Sequence, residues 1–214
     1  AQKRRVRVVI NSTYQKITPR FLKTCQEIEK QSRRPTKFSF LIAADAANQN
    51  SFEKAFNKYL DGPIVHCTLP YKKYMEVLSD NDIQLVPFPF GNTNGFIDAM
   101  VCGLPTLCLV GDGLESLIDS TLSKKVSLPD ICRAESRDEY VLSAKRLIEN
   151  EQVREEIARH IAESDLNANL FFEIEESRRD FPSLVDGIIK NHKKLKNSEK
   201  RIISSEDILG AVAQ

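Results

Sequence analysis

The amino-acid sequence predicts an α/β fold, a parallel doubly wound sheet with helices on both faces. Short apolar runs with strand character alternate with helical patterns through the first two thirds of the 214 residues. This alternation is typical of parallel sheets, because a parallel pair of strands needs a crossover connection that is usually helical. Hydrophobic residues make up 41% of the chain and charged residues 29%, which suits an ordinary globular core.

Five strands are predicted from runs of β-branched and aromatic residues that end in loop-forming residues. The first run ends at Asn11-Ser12, and the fourth is stopped by Pro87 and Pro89. The predicted strands span residues 6–10, 37–44 (with 38–42 as the apolar centre), 64–66, 83–86 and 106–110.

Helices are predicted wherever apolar residues recur with the 3.6-residue period. The first begins at Thr18-Pro19, where threonine suits the N-cap and proline suits the first helical position. The other predicted helices span residues 51–60, 71–78, 96–102, 114–122, 138–149 and 152–163.

The chain changes character at about residue 190, where charged residues replace most of the apolar ones. We therefore expect residues 1–189 to form one ligand-binding domain and residues 190–214 to form a helical, charged, solvated extension. The N-terminal Ala-Gln-Lys-Arg-Arg has no apolar segment behind it. We expect it to be a cut within a longer protein rather than a signal peptide.

Composition excludes several classes of protein and favours a reducing compartment. The net charge of +1 argues against a nucleic-acid scaffold, and no apolar run reaches the roughly 18–20 residues of a membrane span. The five cysteines form no C-x-x-C pair and no metal-ligand spacing, so we expect buried thiols in a cytoplasmic protein without a metal site. They are Cys25, Cys67, Cys102, Cys108 and Cys132.

The segment at residues 87–98, PFPFGNTNGFID, is the most informative for function because it links a predicted strand to a predicted helix. Ligands of open α/β sheets bind at the carboxyl ends of the strands, and a helix N-terminus there attracts phosphate. Gly91 and Gly95 allow close backbone approach, and Asp98 is placed to accept hydrogen bonds from a sugar diol. On composition alone, a tight turn capped by Asn94 is an equally good interpretation.

Two further loops follow strands and carry candidate ligand-binding side chains. Lys16 precedes the first helix and can neutralise a departing diphosphate, although a solvated loop lysine is the better interpretation taken alone. His66 and Tyr74 can contact a ligand, or can be an ordinary strand-end histidine and a core tyrosine. Glu115 and Asp119 form an i, i+4 pair that we interpret as surface carboxylates.

These three loops together resemble glycosyltransferase family 41, which includes the bacterial cytoplasmic protein N-glycosyltransferases that modify adhesins and the protein O-GlcNAc transferases. The PFPFGNTNG run at residues 87–95, followed by Asp98, resembles the bacterial N-glycosyltransferase branch. Lys16-Ile17-Thr18-Pro19 resembles the lysine loop of both branches. The resemblance covers residues 6–163 and includes the DEYV sequence at residues 138–141.

The resemblance implies a GT-B enzyme and identifies this chain with its C-terminal, Rossmann-like, UDP-sugar-binding half, without the N-terminal half. Lys16 is implied to contact the phosphates and to stabilise the leaving group in catalysis. The resemblance assigns the phosphates to Lys16, Asn92, Thr93, Asn94 and Gly95, and the ribose and uracil to Asp98, Thr68, Pro70 and Tyr74. His66 is a further candidate contact, whereas Thr68 stands where bacterial members often have a second histidine.

The implied reaction is an inverting, metal-independent transfer from a UDP-hexose, with glucose passing to asparagine in Asn-x-Ser/Thr sequons of a protein acceptor. It requires no cofactor besides the UDP-sugar donor. Three alternatives stay open: O-linked transfer to Ser or Thr, a nucleotide-sugar-binding or partner subunit without catalysis, and a GT-B-shaped sugar-nucleotide epimerase.

Overall fold

The computed structural model of the protein describes residues 4–111, 113–170, 174–198 and 208. Its internal contacts divide the chain into two units, Ala1–Leu166 and Asn167–Gln214. This division falls before the boundary expected after residue 189, a position that lies inside the helix Ile174–Lys196. Of the expected charged extension, residues 199–207 and 209–214 lie outside the described residues.

The first unit contains a sheet of six parallel strands in the order β3-β2-β1-β4-β5-β6. This doubly wound order confirms the predicted fold class, and its direction reverses between β1 and β4. The strands are β1 (Val6–Thr13), β2 (Thr36–Ala43), β3 (Ile64–Cys67), β4 (Ile83–Leu85), β5 (Thr106–Leu109) and β6 (Arg133–Ala134).

Helices connect the strands and cover the sheet as the alternating pattern predicts. The first helix begins as expected, because the Thr18 hydroxyl accepts the Phe21 N–H at 3.2 Å and Pro19 occupies the first helical position. The helices of this unit are α1 (Pro19–Gln31), α2 (Gln49–Phe56), α3 (Tyr71–Ser79), α4 (Thr93–Val101), α5 (Leu114–Lys125), α6 (Arg137–Glu149) and α7 (Glu151–Glu163). They are followed by α8 (Leu166–Leu170) and α9 (Ile174–Lys196).

Several elements differ from the sequence prediction; for example, α2 ends at Phe56 rather than at residue 60, and α8 and most of α9 were not predicted. Three of the differences have an identifiable local cause. β1 continues to Thr13 because its polar end still pairs with β2, Thr13 lying opposite Ala43. α4 begins at Thr93 rather than at residue 96, since Gly95 lies inside its first turn instead of in a loop. β6 has only two residues and carries no periodic signal, so the sequence did not predict it.

A buried aromatic group fixes the chain where it leaves β4. The Phe88 ring meets Phe21 and Tyr140 edge to face, with ring centroids 5.3 Å and 5.2 Å away. The Tyr140 hydroxyl donates a hydrogen bond of 2.9 Å to the Val86 carbonyl, and Tyr140 is fully buried. This group holds β4, α1 and α6 together directly before the segment that carries the functional motif.

All five cysteines are free thiols, and four of them are buried, as the sequence predicts. Burial raises the pKa of Cys108 and of Cys132 to about 12, so both thiols stay protonated at neutral pH. Within the described part of the chain, no helix is both long enough and apolar enough to cross a membrane.

The second unit contains α9, which has Pro182 within the helix. Gly187 of this helix packs against Ile208, since a Cβ atom at Gly187 would lie 2.7 Å from the Ile208 side chain.

We expect Tyr140→Phe to lower the free energy of unfolding by about 1–3 kcal/mol, because the buried Val86 carbonyl loses its hydroxyl donor while the ring packing is kept. Urea unfolding measures the change. Tyr59→Phe at a half-buried tyrosine is the matched control, and equal losses in the two variants would contradict a special role for the Tyr140 hydroxyl.

Candidate functional site

A cleft of about 220 Å³ lies at the carboxyl ends of β1, β2 and β3, beside the N-terminus of α4. It therefore occupies the point where the strand order reverses, which is where open α/β sheets bind their ligands. Its lining includes Asn11, Ser12, Thr13, Ala43, His66, Cys67, Thr68, Tyr74, Asn92, Asn94, Gly95 and Asp98.

Most residues that the sequence singled out come together in this cleft. Seven of them line it, namely His66, Thr68, Tyr74, Asn92, Asn94, Gly95 and Asp98. Thr93 opens the adjacent helix α4, and Pro70 is the N-cap of α3. Lys16 ends a short 3₁₀ turn after β1, near enough to α5 for its positive charge to lower the pKa of Asp119.

The turn before α4 is built around Asn92, which is the N-cap, whereas the turn interpretation of the sequence placed Asn94 there. The Asn92 side chain does not cap the helix; its Nδ2 donates to the Asn11 carbonyl at the end of β1. Its backbone N–H donates to the Asp119 carboxylate at 2.7 Å, and its carbonyl accepts the Phe96 N–H at 2.8 Å. Asn92 thus ties α4 to β1 and α5.

The open end of α4 has the properties of an anion site. The N–H groups of Thr93, Asn94 and Gly95 belong to its first turn, where backbone donors have no partner inside the helix. The aligned peptide dipoles add positive potential at the same place. These three N–H groups are therefore suited to the oxygens of a phosphate.

Gly95 is required where α4 approaches β1. A Cβ atom at Gly95 would lie 2.0 Å from Asn92 Nδ2 and 2.5 Å from Asn11 Nδ2. The Gly95 carbonyl accepts a hydrogen bond of 3.2 Å from the buried Gln84 side chain. Gln84 in turn accepts the Thr106 hydroxyl at 3.1 Å, so neighbouring strands support the start of the helix.

Asp98 lies one turn further along α4 and is the centre of a polar cluster. The Tyr74 hydroxyl donates to Asp98 Oδ2 at 2.7 Å, and the Tyr71 hydroxyl donates to Oδ1 at 3.3 Å. Asn11 Nδ2 donates to the Tyr74 hydroxyl oxygen. Because a carboxylate offers about four lone-pair positions, Asp98 retains acceptor capacity for a further pair of hydroxyls.

Tyr74 stays protonated in this cluster. Burial raises the pKa of Tyr74, and the hydrogen bond and negative charge of Asp98 raise it further. The phenol is therefore a fixed donor that orients the Asp98 carboxylate and is not an acid or base near neutral pH.

His66 and Thr68, at the end of β3 and just after it, also line the cleft. Burial lowers the pKa of His66, Lys73 lowers it further, and Glu53 acts in the other direction, so the imidazole is mainly neutral at neutral pH. The Thr68 hydroxyl donates to the Ala44 carbonyl at 2.8 Å, and the Thr68 N–H reaches the same carbonyl at 3.2 Å. Thr68 therefore shapes the turn after β3.

Sequence reasoning missed three polar residues that shape the cleft. Asn11 and Gln84 are buried, and their only signal was a polar residue after one apolar run, for Asn11, and within another, for Gln84. The interpretation of Asp119 as a surface carboxylate is wrong, because its side chain is 1% exposed beneath the Asn92 turn. Glu115 is exposed as expected. Within the described ranges, no group of three or more His, Cys, Asp or Glu residues is arranged to hold a metal ion.

Known proteins similar to this chain are glycosyltransferases, although no protein-family model matches it. The UDP-glucose:protein N-β-glucosyltransferase of Actinobacillus pleuropneumoniae serotype 5b (strain L20) is 36% identical over 168 residues. The match covers 78% of this chain and 27% of that relative, so the chain spans about a quarter of the relative's length.

Two solved structures share the fold. An O-GlcNAc transferase mutant of Thermobaculum terrenum superposes with a TM-score of 0.69 and 17% identity, over 80% of this chain and 35% of that chain. The catalytic domain of the cholesterol-α-glucosyltransferase of Helicobacter pylori gives a TM-score of 0.52 and 13% identity, over 74% of this chain and 96% of that chain. At these identities the likeness shows the α/β fold alone.

We expect Gly95→Ala to lower the free energy of unfolding by about 1–3 kcal/mol, because the added methyl group displaces the Asn11 and Asn92 side chains. This loss outweighs the gain of up to about 1 kcal/mol in helix propensity. Urea unfolding, together with the NMR signals of the two side-chain amides, measures the effect.

Gly103→Ala is the control, since Gly103 has a positive φ of 66° but no atom within 4 Å of its added Cβ. It is expected to cost stability through backbone strain without shifting the two amide signals. A Gly95→Ala variant as stable as the wild type, with unshifted amides, would contradict the crowding.

Proposed function

Since the chain belongs to glycosyltransferase family 41, we propose that it supplies the UDP-sugar-binding half of a protein glycosyltransferase. The observation that carries the proposal is one cleft that combines the open end of α4 with the Asp98 cluster. A helix N-terminus suits a diphosphate, and a carboxylate one turn away suits the ribose diol of the same nucleotide. The acceptor surface would then lie in the part of the protein beyond this chain.

In the proposed complex the diphosphate lies against the N–H groups of Thr93, Asn94 and Gly95. Lys16 contacts the same phosphates, and its ammonium group stabilises the charge that develops on UDP as the glycosidic bond breaks. The helix dipole acts in the same direction. Charge on the leaving group is thereby balanced by fixed protein groups, so the proposed reaction requires no metal ion or other cofactor.

The nucleoside is proposed to bind on the other side of the cleft. Asp98 accepts hydrogen bonds from the two ribose hydroxyls while Tyr74 holds the carboxylate in place. The turn from Thr68 to Pro70 and the neutral His66 then flank the uracil. This assignment matches each group of polar residues that line the cleft to one part of UDP.

The proposed reaction transfers glucose from UDP-glucose to the asparagine of an Asn-x-Ser/Thr sequon with inversion at the anomeric carbon. The asparagine nitrogen attacks the anomeric carbon and loses one proton to water, while the bond to the UDP oxygen breaks and UDP leaves with its electron pair. The donor and the linkage follow the name of the relative from A. pleuropneumoniae. A cytoplasmic location is proposed because the five free cysteines suit a reducing compartment.

A second candidate function is nucleotide-sugar binding without transfer by this chain alone. It is favoured by the composition of the cleft, whose ionisable lining residues are His66, Cys67, Tyr74 and Asp98. Tyr74 and Asp98 are engaged with each other, so the cleft offers few groups that can activate an acceptor. Transfer by the isolated chain would exclude this candidate.

We expect the chain to bind UDP in a calorimetric titration without metal, and to bind ADP much more weakly. Lys16→Ala is expected to weaken UDP binding at least about tenfold, because a charge-assisted contact to the diphosphate is lost. Lys23→Ala, at an exposed lysine of α1, is the matched control and should bind UDP as the wild type does. Failure of the folded chain to bind UDP, or equal losses at both lysines, would contradict the proposal.

We expect Asp98→Ala to weaken UDP binding at least about tenfold, since the ribose acceptor is removed. The melting temperature without ligand should fall by no more than about 4 °C, because Asp98 is half-buried and its loss creates no core cavity. Glu76→Ala, at an exposed carboxylate of α3, should change neither quantity. A much larger fall in melting temperature would assign Asp98 to the fold instead of to the ligand.

A further inference from the structure

A buried carboxylate lies directly beneath the turn that leads into α4. Asp119, on α5, is 1% exposed, and its Oδ2 atom accepts the Asn92 backbone N–H at 2.7 Å. Burying a carboxylate without compensating contacts is costly, so its position here requires favourable interactions. Its Oδ2 atom receives them from the Asn92 N–H, and the positive charge of Lys16 adds to them, whereas Oδ1 is buried with no hydrogen-bond partner among the described residues. The N-terminus of α4 adds a favourable dipole.

The backbone on the other side of this contact is shaped to the carboxylate. A Cβ atom at Gly91 would lie 2.3 Å from Asp119 Oδ2 and 2.9 Å from the Glu115 carbonyl oxygen. Gly91 also has a positive φ of 60°, which side chains rarely adopt. Two independent features, the close approach and the left-handed backbone, therefore require glycine next to Asp119.

The contact also controls the direction of the following N–H groups. The Asn92 N–H is fixed by Asp119, and the Asn92 carbonyl is fixed by Phe96. With both sides of this residue held, the next three N–H groups of α4 point in a fixed direction. Those three groups are the ones assigned above to the diphosphate.

We propose that Asp119 is a positioning residue for the diphosphate, which acts by holding the Asn92 turn so that the first N–H groups of α4 face the phosphates. This inference rests on the proposed function, because it concerns the same ligand. Asp119 does not touch the nucleotide. What it supplies is a hydrogen-bond acceptor at a fixed place beneath the turn.

Burial raises the pKa of Asp119, and the Asn92 N–H, the Thr93 hydroxyl and Lys16 partly offset that effect. Loss of the negative charge alone would therefore have two favourable effects. It would remove the cost of burying a charged carboxylate, and it would remove a negative charge that repels the phosphates. A test must therefore distinguish the effect of the hydrogen-bond acceptor at Asp119 from the effect of its negative charge. Asp119→Asn and Asp119→Ala both remove the charge, but only asparagine keeps an oxygen that can accept the Asn92 N–H.

The experiment compares these two variants by calorimetric titration with UDP and with uridine. Asp119→Ala is expected to bind UDP at least about tenfold more weakly than Asp119→Asn, because only the alanine variant releases the turn. Uridine, which has no phosphate, should bind the two variants within about threefold of each other. Ser120→Ala, which removes a hydroxyl bonded to Leu117 within the same helix, should leave both affinities at the wild-type values.

Equal UDP affinities in the two variants, or parallel losses for UDP and uridine, would overturn the inference. If Asp119→Ala does not fold, the inference is tested by amide hydrogen exchange in the wild type and in Asp119→Asn. In both proteins the backbone amide of Asn92 should exchange at least about tenfold more slowly than that of Asn94. Fast exchange at Asn92 would overturn the inference. Lack of UDP binding by the wild type would instead count against the proposed function, and the exchange experiment would still test the contact between Asp119 and Asn92.

Discussion

A chain of hydrogen bonds crosses the gap between β1 and β4, and the cleft depends on it. Asn92 donates to the Asn11 carbonyl, the Asn11 side chain donates to Tyr74, and Tyr74 donates to Asp98. The two strands pair with each other, but the connections that leave them diverge at this point, because the strand order reverses between β1 and β4. Without these hydrogen bonds, the loops that leave the two strands would not be held at fixed positions relative to each other. The chain of bonds holds the proposed phosphate end and the proposed ribose end of the cleft at a fixed separation.

The fold could be predicted from the sequence because its signals are local. Alternating strands and helices, the threonine and proline that open α1, and the prolines that stop β4 each act within a few residues. Much of the candidate site followed as well, because loops after parallel strands meet at one edge. Thus Asn94, Gly95 and Asp98 of α4 lie in the same cleft as His66 at the end of β3 and Tyr74 of α3.

What could not be predicted is the set of contacts between residues far apart in sequence. Asn11 and Asn92 are 81 residues apart, and Asn92 and Asp119 are 27 residues apart. From the sequence alone, an aspartate in a mostly polar helix such as α5 is expected to be exposed to solvent, because nothing in the sequence shows that the Asn92 turn covers it. Gly95 illustrates the same problem. In the sequence it suggested a loop, yet it lies in α4, where glycine is needed because the neighbouring asparagine side chains leave no room for a Cβ atom.

The pair formed by Tyr71 and Tyr74 also has an optical consequence. Their rings stack with centroids 5.9 Å apart, and both hydroxyls donate to Asp98. The chain contains five tyrosines and no tryptophan, so its ultraviolet emission comes from tyrosine without the usual stronger signal of indole. Two of its five tyrosines donate hydrogen bonds to the Asp98 carboxylate, which lines the cleft together with Tyr74. The protein thus contains a spectroscopic reporter beside the candidate site.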